Sequence, residues 1–180
     1  MINRMIRAVR LDRTLFREVA DNPRYITEAF FIVLLVALIS SIGSLVGAEQ
    51  ENQNGVTAYI VEVINQLLFG WLLWAIVSYF VGTTFFGGRS SINEMLRVLA
   101  YASIPRLLGL FGFIWCIGPL LALLGWILSI IAAVVAIRES MEFDTIRALV
   151  TALIGYILFL IAAVVIRVLW AGITLPFTLF

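Results

Sequence analysis

The chain has 180 residues, 63% hydrophobic and 13% charged, with a mean hydropathy of +1.09. These fractions lie far from those of a soluble domain and predict an all-α, polytopic integral membrane protein with no room for a separate soluble unit. No histidine is present and Cys116 is the one cysteine, which excludes an intramolecular disulfide, cysteine or histidine metal centres, imidazole-based catalysis and a histidine proton relay. All 12 basic residues are arginine and six precede residue 25, so the distribution of charge informs more than the net charge of +1.

Residues 1–24 read as a basic amphipathic helix. Ile2, Met5, Ile6, Val9, Phe16, Val19 and Ala20 share one face, and Arg4, Arg7, Arg10, Arg13 and Arg17 crowd the other. A helix of this kind lies in the interface and is drawn to anionic lipid, at about 1 kcal/mol per basic residue. Leu11 and Leu15 fall outside the apolar face and are expected to pack elsewhere on the protein. Asp21, Asn22 and Pro23 end the helix, and Arg24 and Tyr25 anchor the first span.

Five spans are expected, at about residues 26–46, 63–86, 99–117, 119–137 and 146–166. The first is an uncleaved anchor, since its apolar stretch exceeds the h-region of a signal peptide. Residues 49–55 are polar, lack arginine and belong outside. Glu62, at the outer end of the second span, admits two readings, an ion or proton site or a residue wetted at the interface; its nearness to the polar loop favours the second.

Between the second and third spans, Gly87 and Gly88 break the apolar run and Ser91 with Glu94 forms a capping-box pattern. An interfacial helix at about residues 90–104 follows. Its apolar face carries Ile92, Met95, Leu96, Val98, Leu99 and Ala102, and its water-facing side Asn93, Glu94, Arg97 and Tyr101. Pro105 ends or kinks it, and Arg106 is expected to snorkel to the inner surface. Gly118-Pro119 forms a turn before the fourth span, where Ser129, Ala132, Ala133 and Ala136 allow close helix approach. Arg138 and Glu142 can pair, and Asp144 can cap the fifth span, which carries Ala148, Ala152 and Gly155 on one face. Residues 168–180 are expected to return along the outer interface.

With five spans and the amino terminus inside, eleven arginines are cytoplasmic and Arg167 alone is outside. The expectation is a multi-pass cell-membrane protein with a cytoplasmic amino terminus.

Gly87-Gly88, Ser91, Glu94, Leu96-Arg97, residues 99–103 and Pro105, followed by Arg138-Glu139 and residues 144–148, resemble the Yip domain, the Ypt/Rab-interacting family of five-span membrane proteins. Arg17-Glu18-Val19 and Asn22-Pro23-Arg24 are similar to the prokaryotic branch, and the likeness extends over roughly residues 10–170. The resemblance implies cytoplasmic motifs joining the spans and, in eukaryotes, vesicle transport with Rab GTPase partners. The Asp-Leu-Tyr-Gly-Pro motif of eukaryotic members does not occur in this sequence, so the Rab role is not carried over.

The function expected is a membrane scaffold or adaptor with a cytoplasmic face for lipid or protein. The alternatives are a small transporter or channel, or an accessory subunit of a larger complex. An enzyme is not expected, nor a cofactor, metal or nucleic acid. Candidate contact residues are Arg7, Arg10, Arg13, Glu94, Arg97, Tyr101, Arg138 and Glu139, with anionic lipid, an unidentified protein or a second copy as partners.

Overall fold

The computed structural model describes residues 2–44, 54–113 and 117–174, and every regular element among them is helical. The helices are α1 (Ile2–Val9), α2 (Arg13–Asp21), α3 (Tyr25–Ser40), α4 (Gly55–Phe86), α5 (Ile92–Ala102), α6 (Gly118–Met141) and α7 (Thr145–Thr174), with a 3-10 segment at Ile104–Phe113. Within α4, residues Gln66–Leu73 form a π-helical stretch.

Four helical stretches among the described residues are long and apolar enough to cross a membrane: Tyr25–Ser44, Gly55–Phe86, Gly118–Met141 and Thr145–Ala162. Four of the five expected spans thus find a counterpart, and the one at 99–117 does not. In its place the 11-residue α5, about 16 Å long against a hydrocarbon core of about 30 Å, gives way to the 3-10 segment. Pro105 supplies no N–H to an α-helix, and Gly109 and Gly112 lower its propensity further. The polar loop expected at 49–55 lies mostly outside the described residues, as do Cys116 and residues 175–180 of the tail. Up to Thr174 the tail simply continues α7.

The outer surface is apolar, as lipid requires. Phe30, Phe31, Leu35 and Leu38 of α3, and Leu120, Leu123, Leu124 and Ile127 of α6, are exposed. Small residues hold the interior. Ser129, Ala132, Ala133 and Ala136 of α6 and Ala148 and Ala152 of α7 are buried as their spacing predicts. A Cβ at Gly155 would stand 2.8 Å from Ser78 Oγ, and one at Gly82 would collide with the Met141 side chain.

Contacts fix the running directions. Tyr59 of α4 donates to the Leu38 carbonyl at 3.0 Å, and farther along α4 the Trp71 ring lies 6.3 Å from that of Phe30, earlier in α3, so α3 and α4 are antiparallel. The ends of α4 and α6 lie together, because Gly82 and Gly88 abut Met141 and Phe143 while Ser90 and Ser140 share a 2.7 Å hydrogen bond. The amino-terminal helices and the α4–α5 and α6–α7 connections therefore lie at one end of the bundle. α5 and the 3-10 segment lead back from that end to the start of α6.

α5 is the most enclosed helix. Its capping box forms as expected, with the Glu94 amide donating to Ser91 Oγ at 3.2 Å and the Ser91 amide to Glu94 Oε2 at 3.3 Å. Its two-sided pattern does not hold: Met95 and all of Arg97 through Ala102 are buried, because α2, α3, α4 and α6 all pack on it. The sequence reading that set Arg97 and Tyr101 toward water is corrected here.

Candidate functional site

Two polar constellations stand out, one at the amino-terminal end and one inside the bundle.

The first begins with a break in the predicted basic helix. Leu11 adopts a left-handed φ of 57° and Asp12 caps α2, accepting from the Thr14 amide at 2.9 Å, so residues 2–21 form a helical hairpin rather than one helix. Arg7 clasps it, donating to Asp12 at 2.8 Å, Glu18 at 2.9 Å and Thr14 at 2.9 Å. The two apolar faces then part company. Leu15, Phe16, Val19 and Ala20 are buried in the protein, whereas Ile2, Ile6 and Val9 stay exposed beside Arg10. Leu15 and Leu11 do pack on other elements, as expected.

The hairpin is bolted down at two points. Arg4 donates to Glu28 of α3 at 3.2 Å, and its guanidinium lies 4.5 Å over the Tyr25 ring. The Glu28 hydrogen bond strengthens the hold of Arg4 on its proton. Tyr101 completes this cluster. Burial pushes its hydroxyl far above the ordinary tyrosine range, and the hydroxyl faces Glu28 and Arg4 without meeting full hydrogen-bond geometry. The second bolt is Arg97, 3% exposed, whose Nε donates to the Val19 carbonyl at 2.9 Å and whose Nη2 donates to that of Ala20. Both carbonyls belong to the last turn of α2, where acceptors lack helical partners and a cation meets the negative end of the helix dipole.

Of the eight candidate contact residues, Arg10 and Arg13 are exposed. Arg7 is engaged within the hairpin, Glu94 in the capping box, and Arg97 and Tyr101 in the core. Arg138 and Glu139 are half-buried, 3.8 Å apart. The expected Arg138–Glu142 pair does not form, because Glu142 ends α6 in a left-handed conformation (φ 56°). Asp144 precedes α7 as expected and pairs with Arg147 at 3.3 Å.

Asp12 makes the hairpin sensitive to acid. Hydrogen bonds from Thr14, then Arg7, hold its carboxyl at about 2. A carboxylate depressed in the folded state contributes its full stabilisation above its ordinary value of 3.8 and loses it as the pH falls toward 2. Glu18 is pulled down in the same sense, chiefly by Arg7. Pepsin should cut residues 9–16 increasingly fast from pH 4 to pH 2, relative to an unstructured peptide of that sequence. Asp12→Asn should be cut faster at pH 4 and lose most of this dependence; a wild-type rate flat across the window would deny the cap its role.

The second constellation is one that reading the sequence missed. Arg106 does not snorkel to the inner surface. It points into the bundle and donates from Nη2 to Gln66 Oε1 at 3.2 Å, its one side-chain hydrogen bond among the described residues. Gln66 also donates to Ser41 at 3.2 Å and approaches Glu62 at 3.5 Å. Beside Arg106 is a cavity of about 30 Å³ whose lining includes Val33 and Ala37, at half the length of the first span. The wider π-helical turn, bonded i to i+5, brings Gln66, Gly70, Trp71 and Trp74 to it. Arg106 faces inward because the 3-10 segment crowds α6, where Gly125 admits the Pro105 carbonyl. The signals available in the sequence were Pro105 before Arg106 and Gln66 in an apolar run.

Fold and site together define a multi-pass, all-helical membrane protein. A family model described as Yip1 domain matches residues 11–166, and the chain belongs to that family. Comparison with curated proteins and with solved structures gives no match.

Proposed function

We propose that this Yip1-family protein is a membrane scaffold or adaptor whose contact surface is the exposed edge of the amino-terminal hairpin. The observation that supports this is Arg10, Arg13 and Arg17, exposed on a hairpin whose opposite side is fixed by Arg4–Glu28 and Arg97. Ile2, Ile6 and Val9 are exposed on α1, the arrangement of an interfacial helix that rests its apolar stripe on lipid while its cations meet anionic headgroups. Arg24, Arg89 and Arg147 are exposed at the same end of the bundle, which by the positive-inside rule is the cytoplasmic end. Arg138 and Glu139 flank that surface. The role is contact rather than catalysis, with anionic lipid as one partner and a cytoplasmic or membrane protein as the other.

Replacing Arg10, Arg13 and Arg17 together by glutamine removes exposed charge without touching the buried ties. At about 1 kcal/mol per cation, the anionic lipid retained on purification from mixed zwitterionic and anionic membranes should fall at least several-fold. Proteins that co-purify through this surface should be lost at unchanged abundance of folded protein. Unaltered lipid retention together with an unaltered set of co-purifying proteins would reject the scaffold reading. A small transporter is the second reading, favoured by Arg106 at its cavity.

A further inference from the structure

We propose that the cavity beside Arg106 is a binding site for a small monovalent anion of the halide class. The cavity holds about 30 Å³, and roughly 10–15 Å³ accommodates one water, so it takes about two waters or one monatomic ion with a water. Its lining is rich in unspent donors. Arg106 uses one nitrogen on Gln66, and among the described residues no carboxylate forms an ion pair with it. Trp74 and Ser129 both line the cavity, and Trp74 Nε1 and Ser129 Oγ are buried without a hydrogen-bond partner. Ser129 itself is 7% exposed. The other polar groups are committed: Ser103 donates to the Ala100 carbonyl at 2.7 Å, and Gln66 Oε1 already accepts from Arg106.

The balance of chemistry selects the ligand. A cation and two neutral donors share a space with few free acceptors, amid Val33, Val36, Ala37, Leu99 and Ala102. Neutral water would satisfy the indole and hydroxyl but bring no contact counter-charge to the guanidinium in an apolar surround, where a charge without one is costly. One negative ion held by the guanidinium compensates the charge and brings an acceptor to the wall that Trp74 and Ser129 share. A monatomic anion matches this volume better than a polyatomic one such as phosphate, whose four oxygens outnumber the roughly two waters that the cavity holds. Glu62 acts on Arg106 only through space and touches Gln66 rather than the guanidinium, so among the described residues no carboxylate sits against the charge.

Trp71 and Trp74 on the cavity wall supply the readout, because bromide quenches indole fluorescence. Sodium bromide is titrated against sodium gluconate at constant ionic strength, with the full chain in lipid nanodiscs. Wild type should show a saturable quenching component above the linear collisional one, competed by chloride and not by gluconate. Arg106→Gln should weaken that component at least about tenfold, as loss of a hydrogen bond to a charged group implies. Ser129→Ala, which keeps the cation and tests the site should Arg106→Gln fail to fold, should weaken it several-fold. Quenching that is linear throughout in wild type, or a saturable component unchanged in Ser129→Ala and in folded Arg106→Gln, overturns the proposal. The outcome does not depend on the scaffold reading.

Discussion

Arg97→Ala should release the amino-terminal hairpin from the bundle. The substitution removes two hydrogen bonds from a guanidinium 3% exposed and leaves the Val19 and Ala20 carbonyls facing a void. A buried acceptor left without its donor costs about 1–3 kcal/mol, so the pair is worth about 2–4 kcal/mol once partial relaxation is allowed. Arg97→Lys keeps the charge but has no planar fork to reach both carbonyls, and should recover less than half of the loss. Thermal unfolding in detergent reads the global cost, and hydrogen exchange across residues 13–21 the local one. Arg4–Glu28 still tethers α1, so exchange should rise most in the last turn of α2. Equal protection of α2 in Arg97→Ala and wild type would mean that apolar packing of Phe16 and Val19 holds the hairpin without the arginine.

The second large effect is expected at Gly125, where α6 meets the start of the 3-10 segment. A Cβ there would lie 2.6 Å from the Pro105 carbonyl oxygen, 3.1 Å from Leu108 Cβ and 3.5 Å from Arg106 Cα. The nearest obstacle is backbone and cannot rotate aside, so Gly125→Ala must push α6 and the 3-10 segment apart. Overpacking of this kind costs about 1–3 kcal/mol. Because Arg106 follows the obstructing carbonyl, the shift should also loosen its bond to Gln66 and change the environment of Trp71 and Trp74. A lowered unfolding temperature with altered tryptophan emission is the expected result. Gly109→Ala is the control, since a Cβ there meets nothing within 4 Å. If both variants unfold at the wild-type temperature, the close approach at Gly125 does not constrain the fold.

Much of the architecture is determined by the sequence itself. Four membrane-length helices, the capping box at Ser91 and Glu94, and the buried small-residue rows of α6 and α7 are local matters of apolar length, side-chain hydrogen bonding to nearby backbone, and residue size. The family likeness was legible for the same reason, since its motifs are short and contiguous. Tertiary structure alone decided the rest. Arg97 and Tyr101 fall on the polar side of a helical wheel, yet a wheel cannot show that α2 lies over that side and offers two unpaired carbonyls. Residues 99–117 are apolar enough for a span, but packing of Pro105 and Arg106 against Gly125 stabilises a tighter helix and turns a charge inward. The single basic helix read from residues 1–20 became a hairpin because Leu11 could take a left-handed turn once Arg7 bridged Asp12 and Glu18. Periodicity records which residues prefer water or oil, while the partner that satisfies a buried charge comes from the far side of the fold: 78 residues separate Arg97 from Val19, and 40 separate Arg106 from Gln66.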